Sequence, residues 1–176
     1  MRKILVTGAN GQLGRCIKDA AAQFSDFNFV FVSKEELDIE NVDLLSEYFT
    51  NNNFSHCINT DYVFDGKKTT PYLETDSVSP INVYGASKLK GEEYIQEISD
   101  KFFILRTSWL YSQYGHNFLK TILKYSEEGK PLTITTEQTG TPTNANNLAI
   151  ALLKIIAQDS VDYGVYHYSN KGETTW

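Results

Sequence analysis

Apolar and polar positions along this chain follow two periods, and their alternation predicts a layered α/β protein. Residues 2–7, 27–32, 55–59, 60–64, 102–107, 132–135 and 164–168 are short apolar runs with β-branched and aromatic members, which read as strands. Residues 11–23, 41–51, 82–98, 116–129 and 145–158 carry apolar side chains at helical intervals. Strand and helix alternate, which implies a doubly wound parallel sheet. Asp65-Gly66 through Ser79 is a long polar loop, expected to rim a cleft.

The first strand runs into Thr7-Gly8-Ala9-Asn10-Gly11-Gln12-Leu13-Gly14, and a helix follows. Strand, glycine turn and helix in that order are the context a dinucleotide fingerprint requires. Gly8 permits a tight turn, Gly11 lets a pyrophosphate approach the backbone, and Gly14 lets the helix pack near the strand. The helix N-terminus presents unpaired N–H groups to that anion. After the second strand come Ser33, Lys34, Glu35 and Glu36. An acidic residue near that spacing holds a ribose 2′-OH, whereas a lysine could meet a 2′-phosphate, so NADH and NADPH both stay open. Asp38 in Leu37-Asp38-Ile39 can reach the adenine side or act as a helix cap.

Tyr84 and Lys88 lie four apart in the predicted helix after Pro80, so they share one face. A nearby ammonium favours the phenolate form of a tyrosine and brings proton transfer toward neutral pH. Such a pair can protonate a carbonyl oxygen while hydride arrives at carbon. Thr60 opens the run Thr60–Phe64 that reads as the end of a strand; its hydroxyl could bond the same oxygen, or it is an ordinary β-branched strand residue.

Composition narrows the partners. Lys and Arg number 16 against 22 Asp and Glu, a formal net charge of -6 with a pI near 5.1, which argues against a nucleic-acid surface. An anionic substrate must be held locally, by Arg106, Lys101 or helix N-termini. Cys16 and Cys57 have no metal or disulfide spacing and read as buried small apolar residues. His56, His116 and His167 are scattered without carboxylates at ligand spacing, so no metal site is expected. No signal peptide or membrane-spanning run is visible, which points to a cytoplasmic protein without a membrane partner.

The pieces TGANGQLG, TDYVFDG, SPINVYGASKLKGE, ILRTSWLY, QTGTPT and GVYHYSNKGETTW together resemble the dTDP-4-dehydrorhamnose reductase family of the extended short-chain dehydrogenase/reductase superfamily. They run in family order from Met1 to Trp176. The resemblance implies a Rossmann-like domain with part of a smaller substrate-binding lobe. It also implies that Thr60, Tyr84 and Lys88 are catalytic. Gly8, Gly11, Gln12, Leu13 and Gly14 would contact the cofactor, with Asp38 and Ile39 near the adenine. Thr107 and Ser108 would lie near the nicotinamide, and Trp109 would border the sugar-nucleotide site. The implied reaction is reduction by NADPH or NADH of the C4 keto group of a dTDP-linked 6-deoxy sugar, giving dTDP-L-rhamnose, in a monomer or homodimer. Related dehydratases place a glutamate after the aspartate of this motif; here Tyr62 follows Asp61, which favours simple reduction. Two alternatives stand beside it. One is a non-catalytic NADP-binding regulatory subunit like that of methionine adenosyltransferase, and the other is a reductase of another keto sugar nucleotide.

One join breaks the pattern. His56-Cys57-Ile58-Asn59 reads as the end of one parallel strand and Thr60-Asp61-Tyr62-Val63-Phe64 as the end of the next. Parallel neighbours need a crossover of a dozen or more residues, and a single peptide bond cannot supply one. A stretch on the order of 40 residues is expected to be missing between Asn59 and Thr60. The family also continues past Trp176 into the rest of its substrate lobe.

Overall fold

A computed structural model describes residues 1–39, 41–58, 64, 67–135 and 137–175. Strand β1 (Arg2–Thr7) lies at the centre of a parallel sheet, between β2 (Phe27–Val32) and β3 (His56–Ile58). The register pairs Ile4 with Phe29 and His56, and Val6 with Phe31 and Ile58. A second parallel ladder joins β4 (Phe103–Arg106) to β8 (Gly164–His167). The expected parallel α/β architecture is therefore present among the described residues, as a three-stranded sheet and shorter parallel ladders. The predicted strand at 60–64 lies outside them except for Phe64.

Side-chain alternation along β1 decides which helix covers which face. Ile4 and Val6 point into one core with Leu13, Cys16 and Ile17 of α1 (Gln12–Ala20) and with Leu148, Ala149 and Leu153 of α5 (Ala145–Ala157). Ile58 of β3 and Leu105 of β4 enter the same core, so one apolar layer spans both ladders. Leu5 points the other way, to Val32, Leu37 and the Leu45 and Tyr48 side chains of α2 (Val42–Asn51). Helices on both faces make the sheet doubly wound.

The remaining helices are α3 (Val83–Ile98) and α4 (Phe118–Glu127), each shorter than its apolar periodicity predicted by one to four residues. Asparagines set the starts of α2, α3, α4 and α5, each N-cap side chain accepting a backbone N–H from the first turn. Four two-residue strands escaped the sequence reading: β5 (Leu110–Tyr111) with β7 (Thr143–Asn144), and β6 (Thr139–Gly140) with β9 (Thr174–Thr175). Segments so short carry no periodicity to detect.

Two expectations are corrected. Residues 132–135 alternate like a strand but form no ladder, and Leu132 is exposed. An alternating pattern makes a strand only where a neighbour's edge accepts its hydrogen bonds. Cys16 is buried as expected, but Cys57 is exposed. Cys57 pairs with Leu5 and shares its face, yet α2 covers that face over β1 and β2 and leaves β3 open.

Gly14 is where α1 meets the turn after β1. A Cβ there would sit 2.5 Å from the Gly8 carbonyl oxygen and 2.8 Å from the Ala9 Cα. A helical Gly→Ala change normally gains about 1 kcal/mol. Here the methyl meets backbone that cannot step aside, and overpacking of this kind costs about 1–3 kcal/mol. Gly14→Ala is expected to lower unfolding stability in a denaturant titration; a rise would show that the close approach is not limiting.

Candidate active site

The cleft opens at the carboxyl ends of β1, β2 and β3, the end of a parallel sheet at which ligands bind. Its cavity of about 410 Å³ is lined by Thr7, Gly8, Gly11, Gln12, Leu13 and Gly14, by Lys34, Leu37, Asp38 and Ile39, and by Ile58, Tyr84, Lys88 and Leu110. The floor is the turn between β1 and α1. Gly8 has φ +63°, a left-handed conformation that favours glycine. The Gly11 N–H donates to the Gly8 carbonyl at 2.9 Å and closes the turn. The Ala9 N–H donates to the Val32 carbonyl at 3.0 Å, which ties the turn to β2. Gly11 is the N-cap of α1 and offers no side-chain cap, so first-turn amides are left for an incoming anion. A Cβ at Gly11 would sit 3.1 Å from the Gly8 oxygen and narrow the cradle. These features fit a dinucleotide pyrophosphate.

Gln12 does a second job at this end. Its Oε1 accepts from Ser112 Oγ at 3.1 Å and from Asn117 Nδ2 at 2.9 Å, which draws the 112–117 loop against the start of α1. Beyond β2, the Glu36 carboxylate accepts the Ser33 N–H at 2.7 Å, and the Leu37 N–H donates to the Ser33 carbonyl at 3.0 Å. Glu36 is thereby spent on its own turn. Of the candidates for the ribose end, Lys34 and Asp38 line the cavity and Glu35 and Glu36 do not.

The opposite wall is α3. Asn82 starts it by accepting the Gly85 N–H at 2.8 Å, so Tyr84 stands in the first turn and Lys88 one turn on. The Lys88 ammonium lies 5.5 Å from the centroid of the Tyr84 ring. One further turn along the same face is Glu92, whose side chain is fully buried. Its carboxylate accepts from Arg106 Nε at 2.9 and 3.1 Å and from Nη2 at 2.6 Å. The guanidinium carbon also sits 5.3 Å from the Phe64 ring centroid. Sequence reasoning missed this pair; the four-residue spacing of Tyr84, Lys88 and Glu92 was the available signal. Arg106, expected as a free cation for substrate, is buried and engaged by a carboxylate instead. Lys101 lies before β4, at the end of the strand away from the cleft.

Phe64 stacks on Tyr72 at 4.3 Å between ring centroids and meets His167 edge-on at 5.4 Å. His167 Nδ1 bonds the Tyr72 carbonyl at 3.1 Å, and its backbone N–H donates to Glu74 at 2.8 Å. That donation holds the Glu74 carboxyl below its ordinary range. The loop expected to rim the cleft is thus fastened to the end of β8, and none of its described residues lines the cavity.

Of the residues singled out from the sequence, Gly8, Gly11, Gln12, Leu13, Gly14, Asp38, Ile39, Tyr84 and Lys88 meet in one cavity. Thr60 lies outside the described residues. Thr107, Ser108 and Trp109 follow β4 beside the cavity-lining Leu110 but do not line it themselves. Thr107 Oγ1 is buried and, among the described residues, makes no hydrogen bond. Ser108 Oγ donates to the Thr141 carbonyl at 2.7 Å.

The chain is similar to known proteins in sequence and in fold. A family model described as RmlD substrate binding domain matches residues 56–176. The chain is 32% identical to a dTDP-4-dehydrorhamnose reductase of Aggregatibacter actinomycetemcomitans, in an alignment covering 100% of this chain and 76% of that protein. It is 42% identical to one from Sinorhizobium fredii over 68% of this chain and 42% of that protein. A crystal structure of the Bacillus anthracis reductase in complex with NADP superposes with a TM-score of 0.90 at 30% identity, covering 100% of this chain and 78% of that one.

The Glu92–Arg106 pair carries a stability prediction. Removing one partner of a buried ion pair strands the other charge and costs about 3–5 kcal/mol, whereas replacing both by apolar residues of similar size is near neutral. Glu92→Leu is expected to destabilise the protein by that amount, and Glu92→Leu with Arg106→Met to recover most of it. Equal losses in the single and double variants in urea would contradict the assigned pairing.

Proposed function

The chain belongs to the RmlD substrate binding domain family, and on that premise we propose that it reduces the C4 keto group of dTDP-4-dehydro-6-deoxy-L-mannose to give dTDP-L-rhamnose. The observation that carries this reading is the shared cavity: Tyr84 and Lys88 face the same 410 Å³ space as the Gly8–Gly14 turn. The residues hold a dinucleotide as follows. First-turn amides of α1 take the pyrophosphate, and Asp38 and Ile39 take the adenosine end. Lys34 on the same wall gives NADPH a 2′-phosphate partner, while Asp38 keeps NADH possible.

When bound, the reduced nicotinamide supplies hydride to the carbonyl carbon. The Tyr84 hydroxyl supplies the matching proton to the carbonyl oxygen, so C=O becomes CH–OH. Lys88 stabilises the phenolate that remains and orients the ring. In this reading Thr60 donates a second hydrogen bond to the oxygen as negative charge develops there. Thr107 and Ser108 stand near the nicotinamide, and Trp109 borders the sugar nucleotide. The buried, unpartnered hydroxyl of Thr107 supports a role for it toward a ligand.

The active enzyme, on this reading, carries a helix and strand between Asn59 and Thr60. The 176-residue chain occupies an alignment of 223 positions with the Aggregatibacter protein, which leaves 47 positions without a counterpart. Among the described residues β3 and β4 share no ladder, although Ile58 and Leu105 share a core. A strand between them would join the two ladders into one sheet. Inserting the corresponding segment of that relative between Asn59 and Thr60 is expected to raise both melting temperature and turnover. Full turnover by the 176-residue chain itself would remove the need for the segment.

Tyr84→Phe deletes only the hydroxyl. It is expected to lower kcat for NADPH-dependent reduction of the keto sugar nucleotide by 10²-fold or more, within the range of general acid catalysis, with cofactor affinity near that of the parent. An unchanged kcat would reassign the proton donor. Cofactor binding without any turnover, in the segment-restored protein, would favour the regulatory-subunit reading. Cytoplasmic location belongs to the same proposal; among the described residues no helix is long and apolar enough to cross a membrane.

A further inference from the structure

We propose that Gly140 is a specificity-determining residue: its bare α-carbon is the surface on which the Trp109 indole lies. The inference deepens the reading above, in which Trp109 borders the sugar nucleotide. Trp109 has φ +45°, a left-handed conformation that a bulky aromatic residue rarely adopts and that stores strain. Such strain persists only where neighbours enforce it. Here they do. The Thr143 N–H donates to the Trp109 carbonyl at 3.1 Å. On one side Ser108 is tied to the Thr141 carbonyl, and on the other Leu110 pairs with Thr143. The backbone of Trp109 is therefore clamped on both sides, next to Leu110, which lines the same cavity as Tyr84 and Lys88.

The ring is clamped from below. A Cβ on Gly140 would lie 2.5 Å from Trp109 Cε2, 2.6 Å from Cζ2 and 2.9 Å from Cδ2, distances real side chains do not tolerate. Gly140 cannot retreat, because β6 pairs it with Thr174 of β9. With both backbones fixed, any side chain at 140 must move the indole. The absence of a side chain at one position thus sets how deep the aromatic wall sits and which base or sugar fits against it.

The test uses the 176-residue chain carrying Trp176→Phe, which leaves Trp109 as its sole indole. Adding Gly140→Ala is expected to shift the emission maximum and increase acrylamide quenching of Trp109. In the segment-restored protein it should weaken binding of dTDP at least tenfold while NADPH affinity changes less than twofold. In a Trp109→Ala background, Gly140→Ala should cost nothing further. Unmoved indole emission in folded Gly140→Ala, or an equal loss of dTDP affinity with and without the indole, overturns the proposal. Should the segment-restored protein bind no dTDP, the sugar-nucleotide reading falls, and the emission experiment on the 176-residue chain still decides whether Gly140 positions the ring. Should Gly140→Ala fail to fold, Trp109→Phe with Gly140→Ala is expected to fold, because the smaller ring frees the overlapped space. Failure of that double variant equally overturns the assignment.

Discussion

The carboxylate–guanidinium contact between Glu92 and Arg106 fixes where Tyr84 and Lys88 stand. α3 contributes little apolar surface; its described buried residues are Gly85 and Glu92. A helix held mainly by dispersion could slide or roll by fractions of an ångström. A bidentate pair cannot, because its hydrogen bonds weaken quickly with angle. Tyr84, Lys88 and Glu92 lie on one helical face, so anchoring the third places the other two. Arg106 reaches Phe64 as well, the described residue of the segment that carries Thr60. One guanidinium thereby references the tyrosine, the lysine and Phe64 to the end of β4. Such a pair is weak evidence for net stability, since desolvation offsets most of its attraction. Its value here is geometric.

At the other wall the same precision comes from the lack of side chains. Gly8 takes a conformation other residues resist, Gly11 leaves room above its α-carbon, and Gly14 allows α1 to touch the turn. α1 is in turn locked into the core by Leu13, Cys16 and Ile17 against α5. The amides at its N-terminus are therefore aimed by packing formed behind them. The cleft has a rigid anion cradle on one side and an ion-pair-anchored helix on the other.

The sequence showed those parts that rest on local physics. Glycines at fixed spacing after an apolar strand, and Tyr84 four residues before Lys88, announced both walls of the cavity. Pro80 and the amphipathic periods placed the helices to within a few residues. What stayed hidden depends on contacts between distant segments. Arg106 read as a free cation because nothing local reveals that Glu92, fourteen residues earlier, turns inward to meet it. Residues 132–135 read as a strand because alternation reports a preference and not a partner. The ladders of β5 with β7 and β6 with β9 are two residues long, and the importance of Gly140 appears only once Trp109 lies on it. Gly140 itself sits in QTGTPT, where it looks like any loop glycine.

Charge imposes a last condition. The chain carries a net charge of -6, yet its cleft has the features of a site for dianionic or more highly charged nucleotides. Over distances beyond about 8–10 Å, salt at physiological strength screens the background repulsion. Inside the cleft the balance is local: helix amides and the dipole of α1 at the turn, Lys34 on one wall and Lys88 on the other. None of these requires a basic surface. Withdrawing Arg106 into the interior costs the cleft a cation, and on the proposed reading backbone donors of the turn meet the phosphates instead. On that reading specificity falls to shape, and the proposed seat of the Trp109 indole on Gly140 matters more than another positive charge would.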